Sequence, residues 1–504
     1  MREKIGNSLM KREDFLESIK RNFDIIIIGG GITGAGILLE ASKKGLSCAL
    51  IEQKDFAWGT SSRSGKLVHG GLRYLKEGQV STTLHSVTER DRMLEYYKGL
   101  VEPLGFLVPI KKHDFSYRLM IKTGLTIYDI LAKKWVHRYH EANDFQMMLP
   151  SIRKAEDPSG YTFQDAVTDD ARLVIEIIKE SIQNGAVALN YTKAFDLIKN
   201  KRGDVKGLLI KDMLNDDEYE LKGDVVINAT GVWAGDFHSK IKQQQRLRPL
   251  RGSHLLFPNW RFPLPQAVSI AHPRDRRPIY LLPWKGATLI GTTDVDHQQT
   301  LLNEPNISQN EAYYLFEALE YWFPSLELTP SDLLSTISGV RAVIDTGKKD
   351  PSKESREHII WNDHGLISVT GGKLTAFRYV AQNVLKEAKK YIKHSKKTLK
   401  RSPNQQNNYL FDTKEYKQQD NLIAGTPFSW SDLKDSIQNE WVNDLSDLLL
   451  RRTRIGLTAP NGAIPLLDEI QLQLEPFTDW DWTQKRTEYI NLWQRSYSPQ
   501  LIAN

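Results

Sequence analysis

The four isoleucines of FDIIII, residues 23–28, stop at three consecutive glycines. An apolar run without polar alternation predicts a parallel strand that is buried on both faces. After the glycines, Ile37, Leu38 and Ala41 recur at helical spacing, and a second apolar run, SCALI, ends at Glu52. The pattern therefore predicts a strand, a helix and a second strand within residues 23–53.

Two later segments repeat the change from apolar run to glycine turn. KGDVVINATGVWAG (222–235) and GLISVTGGKLTAFR (365–378) each predict a buried strand that ends in such a turn. The segment from Asp169, DDARLVIEIIKESIQNGA, carries apolar residues at helical spacing and predicts a helix with one buried face. The chain thus offers several strand-to-helix turns far apart in sequence.

The other patterns predict shorter strands and a helical C-terminal region. β-rich runs between Val187 and Ile227 predict a small meander. RPIYLLPWKGATLIGTTDV predicts a hairpin that turns at Lys285 and Gly286. The polar stretch 402–421 predicts a linker, and the residues after it predict mostly helices.

Composition limits the class of protein. The chain has 504 residues, 40 % hydrophobic and 26 % charged, which is ordinary for a globular protein of about two to four domains. Cys48 is the single cysteine, which excludes an intramolecular disulfide, and its apolar neighbours predict a buried thiol. No apolar run approaches the ~18 residues of a spanning helix, so we expect a protein that is soluble or only peripherally attached to a membrane.

The glycines at 29, 31 and 34 form the G-x-G-x-x-G pattern of a dinucleotide site. Gly29 allows the tight turn, Gly31 lets the backbone approach a pyrophosphate, and Gly34 lets the helix pack on the strand. Glu52 ends the second strand and is placed to accept ribose hydroxyls. An acid at this position disfavours a 2′-phosphate, so the ligand is FAD or NAD.

The dispersed layout of the glycine turns selects FAD. A compact NAD domain would end within ~150 residues, whereas turns near residues 30, 230 and 370 indicate one ligand contacted by distant segments. The predicted cofactor contacts beyond the first turn are Gly231, Gly372, Lys373 and Leu374.

A basic stretch, SSRSGKLVHGGLRYL (61–75), raises a different question. It carries Arg63, Lys66, His69 and Arg73 and no acid. Such a stretch is either a solvated basic loop or a site for an anion. Ser61 and Ser62 at its start either cap the next segment or bond the flavin pyrophosphate.

The motifs taken together resemble those of the aerobic, FAD-dependent glycerol-3-phosphate dehydrogenases. In order along residues 23–457, they are IGGGITGAG, GTSSRSGKLVHGGLRYL, DDARLV, RGSHLLFP, IGTTDVD, SGVRAV, VTGGKLTAFR and LLLRRTRIGL. The HGGLRYL and GGKLT blocks are specific to this family. Relatives often carry Ser or Thr where this chain has Gly65, and Lys where it has Arg251.

The resemblance implies a fold, a reaction and a location. The fold class is α/β, with a Rossmann-like FAD-binding domain, a β-rich substrate domain and a C-terminal helical cap. The reaction is oxidation of sn-glycerol 3-phosphate to dihydroxyacetone phosphate, with hydride passing from C2 to flavin N5 and electrons then passing to a membrane quinone. The implied location is the cytoplasm, in peripheral contact with the inner face of the cell membrane.

The chemistry also suggests roles for individual residues. A phosphate dianion needs several cations, and the candidates are Arg73, Arg341 and Lys373. The candidate bases for the C2 hydroxyl are His254, which we prefer, and His69. Further candidate roles are contact of Tyr74 with the substrate, stabilisation of the developing oxyanion by Arg341, and polarisation or simple binding of the flavin by Lys373.

The predicted domain division is discontinuous. The FAD-binding domain is assigned residues 22–105, 161–240 and 336–388, and the substrate domain 106–160 and 241–335. A linker, 389–421, precedes the helical cap domain, 422–504. The arginines at 451, 452 and 454 are expected to form a contact between domains.

Several other readings of the residues remain. His137 and His140 have some metal-ligand spacing, but a solvated helix face explains them better, and we predict no metal.

A flavin oxidase of an amino acid or a 2-hydroxy acid is the alternative enzyme. The basic run 389–401 raises RNA binding, but the chain lacks an RNA-binding signature, so no nucleic acid is expected. The oligomeric state, including a homodimer, stays open.

Overall fold

The structure is a computed structural model. It describes residues 12–72, 75, 80–235, 247–348, 354, 357–392, 422–423 and 425–502. Residues 393–421 of the predicted linker, which include most of the basic run 389–401, and the site candidates Arg73 and Tyr74 lie outside the described residues.

The strands form two large sheets. In chain order they are β1 (Phe23–Ile28), β2 (Cys48–Ile51), β3 (Leu67–Val68), β4 (Val101–Ile110), β5 (Arg138–His140), β6 (Ser159–Thr168), β7 (Val187–Leu189), β8 (Thr192–Lys199), β9 (Val205–Asp212), β10 (Glu218–Asn228), β11 (Leu247–Pro258), β12 (Ala267–Ala271), β13 (Pro278–Trp284), β14 (Ala287–Gly291), β15 (Val295–Asp296), β16 (Ser335–Ile344), β17 (Ile359–Asp363) and β18 (Leu366–Thr370).

The α-helices lie between these strands and at the C-terminal end. They are α1 (Arg12–Ser18), α2 (Ile32–Ser42), α3 (Val80–Tyr96), α4 (Phe115–Ala132), α5 (Ala142–Met148), α6 (Asp170–Gln183), α7 (Gln309–Trp322), α8 (Phe377–Ala388), α9 (Trp430–Asn439), α10 (Ile455–Thr458), α11 (Leu467–Leu474) and α12 (Trp482–Ser496). A π-helix, Asp447–Arg452, precedes α10.

The first sheet has the strand order β17-β18-β10-β1-β2-β7, and β8 and β9 extend it from β10. The strands from β18 to β7 pair in parallel, so their carboxyl ends meet at one edge. Helix α2 packs beside α6 and α8 on this sheet. The predicted strand–helix–strand unit and the predicted meander are both confirmed.

The second sheet has the order β15-β11-β14-β13-β12-β4-β6-β3, with β16 on β11 and β5 on β6. The predicted hairpin is confirmed: β13 and β14 pair antiparallel, and both turn residues, Lys285 and Gly286, have positive φ. Strands β6 and β16 belong to this sheet, although the boundaries at 161 and 336 give most of both strands to the cofactor domain. Long-range pairing with β4 and β11 decides their place.

Local sequence explains where the helices begin. Asp169 caps α6 by accepting the N–H of Arg172, as the predicted helix start requires. Ser308 and Glu311 form a capping box at α7. His137 and His140 are not on a solvated helix face: His137 is buried beside β5, and His140 lies within that strand.

The C-terminal helices pack against the second sheet rather than standing apart. One apolar core contains both strand residues, such as Phe106 and Leu256, and helix residues, such as Leu449 and Trp493. Cys48 is buried as expected, and burial raises the pKa of its thiol. None of the helices in the described ranges combines the length and hydropathy that a membrane-spanning segment requires.

Candidate active site

The glycine turns at residues 29, 230 and 371 meet at one edge of the first sheet. Gly29, Thr230 and Gly371 follow β1, β10 and β18, which are adjacent parallel strands. The backbones approach closely, since an added Cβ on Gly29 would lie 2.7 Å from the carbonyl oxygen of Ala229. The hydroxyl of Thr370 donates to the carbonyl of Gly231 at 3.1 Å and ties two of the turns together.

The start of α2 has the features of a pyrophosphate site. An added Cβ on Gly34 would lie 1.9 Å from the Gly29 carbonyl oxygen, so only glycine allows this approach of helix to strand. The Glu52 carboxylate accepts the N–H of Gly30 at 2.7 Å, and burial raises its pKa. Ser61 Oγ accepts the N–H of Ile32, the first residue of α2, at 2.9 Å.

The other predicted cofactor residues lie around the same edge. Gly231 has a φ of 63° and open space where a Cβ would be. Gly372 has a φ of 83°, and Lys373 and Leu374 follow it at the start of the 3₁₀ turn Leu374–Ala376. Ser62 is buried, and its carbonyl accepts from Lys66 and Arg454. Backbone N–H groups from three segments at one edge fit a dinucleotide such as FAD.

His254 and Arg341 lie on one face of the second sheet. In the β11–β16 register, Leu250 is opposite Arg341 and His254 is opposite Ile337. Residues 250, 252 and 254 share a face because side chains alternate along a strand. Gly252 provides the space between them, because its added Cβ would lie 2.3 Å from Arg341 Nη2.

This face adjoins the cofactor edge. The hydroxyl of Thr60 donates to the carbonyl of Val340, the residue before Arg341. Strand β16 also contacts the 3₁₀ turn Gly231–Trp233. An added Cβ on Gly65 would lie 3.5 Å from His254 Nε2, so the stretch 61–75 reaches the histidine ring.

Arg341 shares a buried carboxylate with a second arginine. Arg341 Nη1 lies 3.1 Å from Asp294 Oδ1, and Arg277 Nη2 lies 3.2 Å from Asp294 Oδ2. The side chain of Asp294 is fully buried, whereas both arginines keep some exposure. Counted over these three side chains alone, two guanidinium groups on one carboxylate carry a net positive charge, which suits an anionic ligand. Sequence reasoning missed Arg277, although Asp294 stands within the quoted motif IGTTDVD.

His254 is held in its neutral form. Burial and the positive charges of Arg341 and Lys66 lower its pKa from 6.5 to about 3. The ring packs against Gly291, whose added Cβ would lie 2.3 Å from His254 Cδ2. A neutral imidazole next to two cations is able to accept a proton as negative charge arrives at the site.

The comparisons with known proteins agree with this geometry. The family model "FAD dependent oxidoreductase" matches residues 24–378. The aerobic glycerol-3-phosphate dehydrogenase of Staphylococcus haemolyticus is 38 % identical over 398 residues, which cover 76 % of this chain and 70 % of that protein. That of Staphylococcus aureus strain USA300 is 37 % identical over 393 residues, with 77 % and 70 % covered. The chain belongs to the aerobic glycerol-3-phosphate dehydrogenase family.

A solved structure supports the same family. The glycerol-3-phosphate dehydrogenase from Bacillus halodurans complexed with FAD matches with a TM-score of 0.74 and 26 % identity, covering 97 % of this chain and 98 % of that one. As a member of the FAD-dependent oxidoreductases, the present chain uses FAD as its cofactor. The α/β fold with a C-terminal helical region is that of the family.

Two cations of the stretch 61–75 are paired with distant acids, although the stretch itself carries no acid and its sequence alone indicates a solvated loop or an anion site. Arg63 Nη2 lies 2.7 Å from Glu304 Oε1, and both side chains are buried. Lys66 Nζ lies 2.8 Å from Asp170 Oδ1 in a fully buried pair, and burial lowers the pKa of Lys66 to about 8. Their carboxylates come from residues more than a hundred positions away, so the local sequence gave no sign of them.

Within the same stretch, Gly70 contacts α4. His69 is half-buried and follows β3. The N–H of Gly70 donates to Tyr128 Oη at 2.9 Å and to Asp165 Oδ1 at 3.1 Å. In this member of the glycerol-3-phosphate dehydrogenase family, the HGG segment (residues 69–71) is therefore held at Gly70 by α4 and by strand β6 of the second sheet.

The family departure at Arg251 has a structural explanation. Its guanidinium lies 2.6 Å from Glu311 Oε2, the carboxylate that also caps α7, and both side chains are buried. Arg251 points to the opposite face of β11 from His254, because the two are an odd number of residues apart. Arg251 therefore holds α7 on the second sheet. Its difference from the lysine of many relatives does not alter the face that carries His254.

Proposed function

We propose that this chain oxidises sn-glycerol 3-phosphate to dihydroxyacetone phosphate and passes the electrons to a membrane quinone. The observation that carries the proposal is that His254 and Arg341 lie on one face of the second sheet, beside the cofactor edge. Arg341 shares Asp294 there with Arg277. FAD, when bound, would supply the redox chemistry as the acceptor of the C2 hydride.

The arginine cluster holds the phosphate in this proposal. Arg341 and Arg277 are already oriented by Asp294, so little side-chain freedom is lost when a dianion binds. Planar guanidinium groups bind phosphate oxygens in pairs, which fixes the position of the ester as well as its charge. Arg73 and Tyr74 remain proposed substrate contacts, although they lie outside the described residues.

His254 is the proposed base for the C2 hydroxyl proton. Its pKa is lowered by burial first and then by Arg341 and Lys66. A substrate dianion offsets part of that positive charge, so its arrival raises the pKa of His254 and strengthens the base where it is needed. His69 is the second candidate for this role, and Arg341 also stabilises the oxyanion that develops at C2.

The proposed cofactor contacts follow from the turns at the sheet edge. Gly29 and Gly31 at the start of α2 would hold the pyrophosphate, and Glu52 would accept hydrogen bonds from the ribose hydroxyls. The remaining proposed contacts are Gly34, Ser61, Ser62, Gly231, Gly372, Lys373 and Leu374. Lys373 also places a positive charge near the flavin ring.

The visible absorption spectrum tests the reaction directly. We expect the purified, FAD-loaded protein to lose its flavin absorbance when sn-glycerol 3-phosphate is added without oxygen. Glycerol lacks the phosphate and is the matched control, which should leave the spectrum unchanged. Bleaching by amino acids or 2-hydroxy acids, with no response to glycerol 3-phosphate, would replace the proposal with the alternative oxidase.

The electron acceptor needs its own experiment. We propose a quinone, with the protein peripherally attached to the membrane, as the family resemblance implies. Turnover with a soluble quinone should exceed peroxide formation under air by a wide margin. Stoichiometric peroxide without quinone turnover would make the protein an oxidase and remove the reason for membrane contact.

A further inference from the structure

Gly65 lies in front of the His254 ring at a place where the fold does not require a glycine. Its φ is outside the positive region, so other residues can adopt its backbone conformation. Among the described residues, its chain neighbours apart, the one heavy atom within 4 Å of an added Cβ is His254 Nε2, at 3.5 Å. An added Cβ on Gly34, by contrast, would collide with a carbonyl oxygen at 1.9 Å. The glycine at 65 therefore leaves open space beside Nε2.

The backbone around Gly65 is held firmly, so this space is a fixed feature of the site. The Asp170 carboxylate accepts the N–H of Ser64 at 2.9 Å and its hydroxyl at 2.7 Å. The same carboxylate lies 2.8 Å from Nζ of Lys66, which is fully buried. Arg454 also pairs with Asp170 and fixes the carboxylate in turn. Both neighbours of Gly65 are thus bound to one buried anchor.

The stretch before Gly65 runs along the face of the second sheet that carries the candidate site. Arg63 lies over Gly339, whose added Cβ would be 2.7 Å from the Arg63 carbonyl oxygen. In the β11–β16 register, Gly339 is opposite Gly252, and His254 follows two residues further along β11. From residue 63 to residue 65, the stretch therefore advances from the level of Gly252 to the level of His254.

The proposed substrate lies in the same direction. Arg341 Nη2 would be 2.3 Å from an added Cβ on Gly252, so the guanidinium lies at that level of the strand. Side chains on one face of a strand repeat every two residues, which is ~7 Å. A phosphate at Arg341 and a hydroxyl on the adjacent carbon at His254 bridge one such step. The end of the substrate without phosphate then extends beyond His254, toward the space at Gly65.

The lining of this space suits a hydroxyl-bearing extension better than an alkyl one. Its nearest side-chain atom is a ring nitrogen of His254, and it is bounded by the backbone of residues 64–66. A hydroxyl both donates and accepts hydrogen bonds and can therefore bond to such groups. An alkyl group would displace water from them and leave them unpaired, which costs binding free energy.

We propose that Gly65 allows the site to accept polyol phosphates longer than glycerol 3-phosphate, with the additional hydroxyl-bearing carbon beside residue 65. The inference rests on the proposed function and adds a substrate class to the same site. Each longer substrate keeps the secondary alcohol next to the phosphate-bearing carbon. It loses the same hydride and the same hydroxyl proton, so the balance of the proposed oxidation is unchanged. A side chain at position 65 would fill the space of the additional carbon.

Dye-coupled kinetics with the FAD-loaded full chain tests the inference. The substrates are sn-glycerol 3-phosphate and two four-carbon homologues, erythritol 4-phosphate and threitol 4-phosphate. The homologues are used in the enantiomers whose C3 has the spatial arrangement of C2 in sn-glycerol 3-phosphate. The test variant is Gly65→Ser, and Gly65→Ala makes a smaller change at the same position, in ordinary contact with Nε2.

Gly235→Ser is the matched control. The φ of Gly235 is also outside the positive region, and its added Cβ meets no heavy atom within 4 Å among the described residues other than its chain neighbours. The visible spectrum of the bound flavin and the FAD content of each variant are measured alongside the kinetics. They show whether a substitution acts on the cofactor rather than on the substrate.

We expect the wild type to oxidise at least one four-carbon phosphate with a kcat/KM within about tenfold of that for glycerol 3-phosphate. Gly65→Ser should lower the ratio of four-carbon to three-carbon kcat/KM by at least about tenfold, because its side chain takes the place of the additional carbon. Gly65→Ala should lower the ratio less, and the control should keep the wild-type ratio. The flavin spectrum should be the same in all four proteins.

Three results would overturn the inference. The first is a wild type that oxidises glycerol 3-phosphate but neither four-carbon phosphate, which would leave the proposed function standing. The second is an unchanged ratio in both Gly65 variants. The third is loss of FAD or an altered flavin spectrum in Gly65→Ser with an unchanged ratio, which would assign the space to the cofactor. Oxidation of a four-carbon phosphate alone would keep the inference and remove glycerol 3-phosphate as the substrate, and oxidation of none of the three would remove both proposals.

Discussion

At the scale of single residues, His254 shows how the fold sets the chemistry of a side chain. An isolated histidine titrates near 6.5, but this ring is buried on β11 and shares its surroundings with Arg341 and Lys66. All three influences disfavour the imidazolium ion. The result is a histidine that stays neutral at physiological pH until a negative charge enters the site.

The lowered pKa of His254 should make the free energy of unfolding depend on pH. Below pH 6.5 the unfolded chain protonates His254 while the folded chain does not until about pH 3, so the wild type loses stability as the pH falls through this window. His254→Asn removes the effect. Between about pH 7 and pH 5, the wild type should lose roughly 2 kcal/mol more unfolding free energy than the variant.

Chemical denaturation of the FAD-loaded, substrate-free protein measures the difference. His364→Asn, at a side chain that is 71 % exposed, is the control for the histidine-to-asparagine substitution as such. Parallel pH curves for wild type and His254→Asn would show that His254 titrates normally and would weaken its role as a neutral base.

Arg277 gives a second prediction at this scale. Arg277→Gln removes one of the two guanidinium groups on Asp294 and leaves Arg341 in place. Loss of a charge-assisted contact to phosphate costs about 1.5–3 kcal/mol, so KM for glycerol 3-phosphate should rise roughly 10- to 150-fold. Steady-state kinetics with a dye acceptor measures it.

The neighbour Arg276 provides the matched control. Its side chain is 69 % exposed and faces Asp114 rather than Asp294. Arg276→Gln should leave KM within error of the wild type. If both substitutions had the same small effect, Arg277 would have no part in substrate binding.

At the scale of elements, the candidate site depends on the pairing of β11 with β14 and β16. Gly252 and Gly291 are small residues on strands whose neighbours are the large side chains Arg341 and His254. Each glycine leaves the space that one functional side chain occupies. The position of Arg341 therefore depends on the glycine at 252, and that of His254 on the glycine at 291.

Gly252→Ala should show whether the position of the Arg341 guanidinium matters, because the variant keeps Arg341 but moves its side chain. The new Cβ would lie 2.3 Å from Arg341 Nη2 and 2.6 Å from Thr292 Oγ1, so the guanidinium has to move. The Arg341 guanidinium ends a flexible side chain, but Thr292 is β-branched and stiff, so stability should fall by about 1–3 kcal/mol, while kcat/KM falls about tenfold or more. Thermal denaturation measures the change in stability, and steady-state kinetics measures the change in kcat/KM.

Gly235→Ala is the control for this substitution, since among the described residues, its chain neighbours apart, no heavy atom lies within 4 Å of its added Cβ. It should change neither stability nor kcat/KM appreciably. An unchanged kcat/KM in Gly252→Ala would mean that the observed place of the Arg341 guanidinium is not the one that binds substrate.

At the scale of the whole molecule, the sequence predicted the parts of the fold that are encoded locally. The strand–helix–strand unit of residues 23–53, the hairpin at Lys285 and the capped helix after Asp169 all follow from short-range rules. The expected contact of the C-terminal arginines is also confirmed, because Arg451, Arg452 and Arg454 are buried against acids of the first half of the chain.

What the sequence did not reveal depends on long-range contacts. The partners of Arg63 and Lys66, Glu304 and Asp170, lie far along the chain, so the stretch looked unpaired. The role of Arg277 depends on a shared carboxylate that only the folded sheet brings near. The places of β6 and β16 are likewise fixed by pairing across the chain rather than by any pattern within the strands.

The same long-range charges join the C-terminal region to the cofactor edge. Asp55 lies three residues after Glu52, and its carboxylate lies 2.5 Å from Arg451 and 2.7 Å from Arg452. Burial alone would raise the pKa of Asp55, but the two arginines outweigh it and hold the pKa below its usual value. An apolar core that spans sheet and helices reinforces this connection.

We therefore expect the C-terminal helices and the flavin site to unfold together. Asp55→Asn leaves two buried arginines without their full counter-charge, at a cost of about 3–5 kcal/mol, and should lower the midpoints of flavin release and of helix loss by the same few degrees. Flavin fluorescence and far-UV circular dichroism follow the two events in one heating experiment. Asp468→Asn, whose side chain is 87 % exposed beside Arg486, should shift neither midpoint. Flavin release well below the loss of helix in Asp55→Asn would show that the C-terminal region folds independently of the cofactor site.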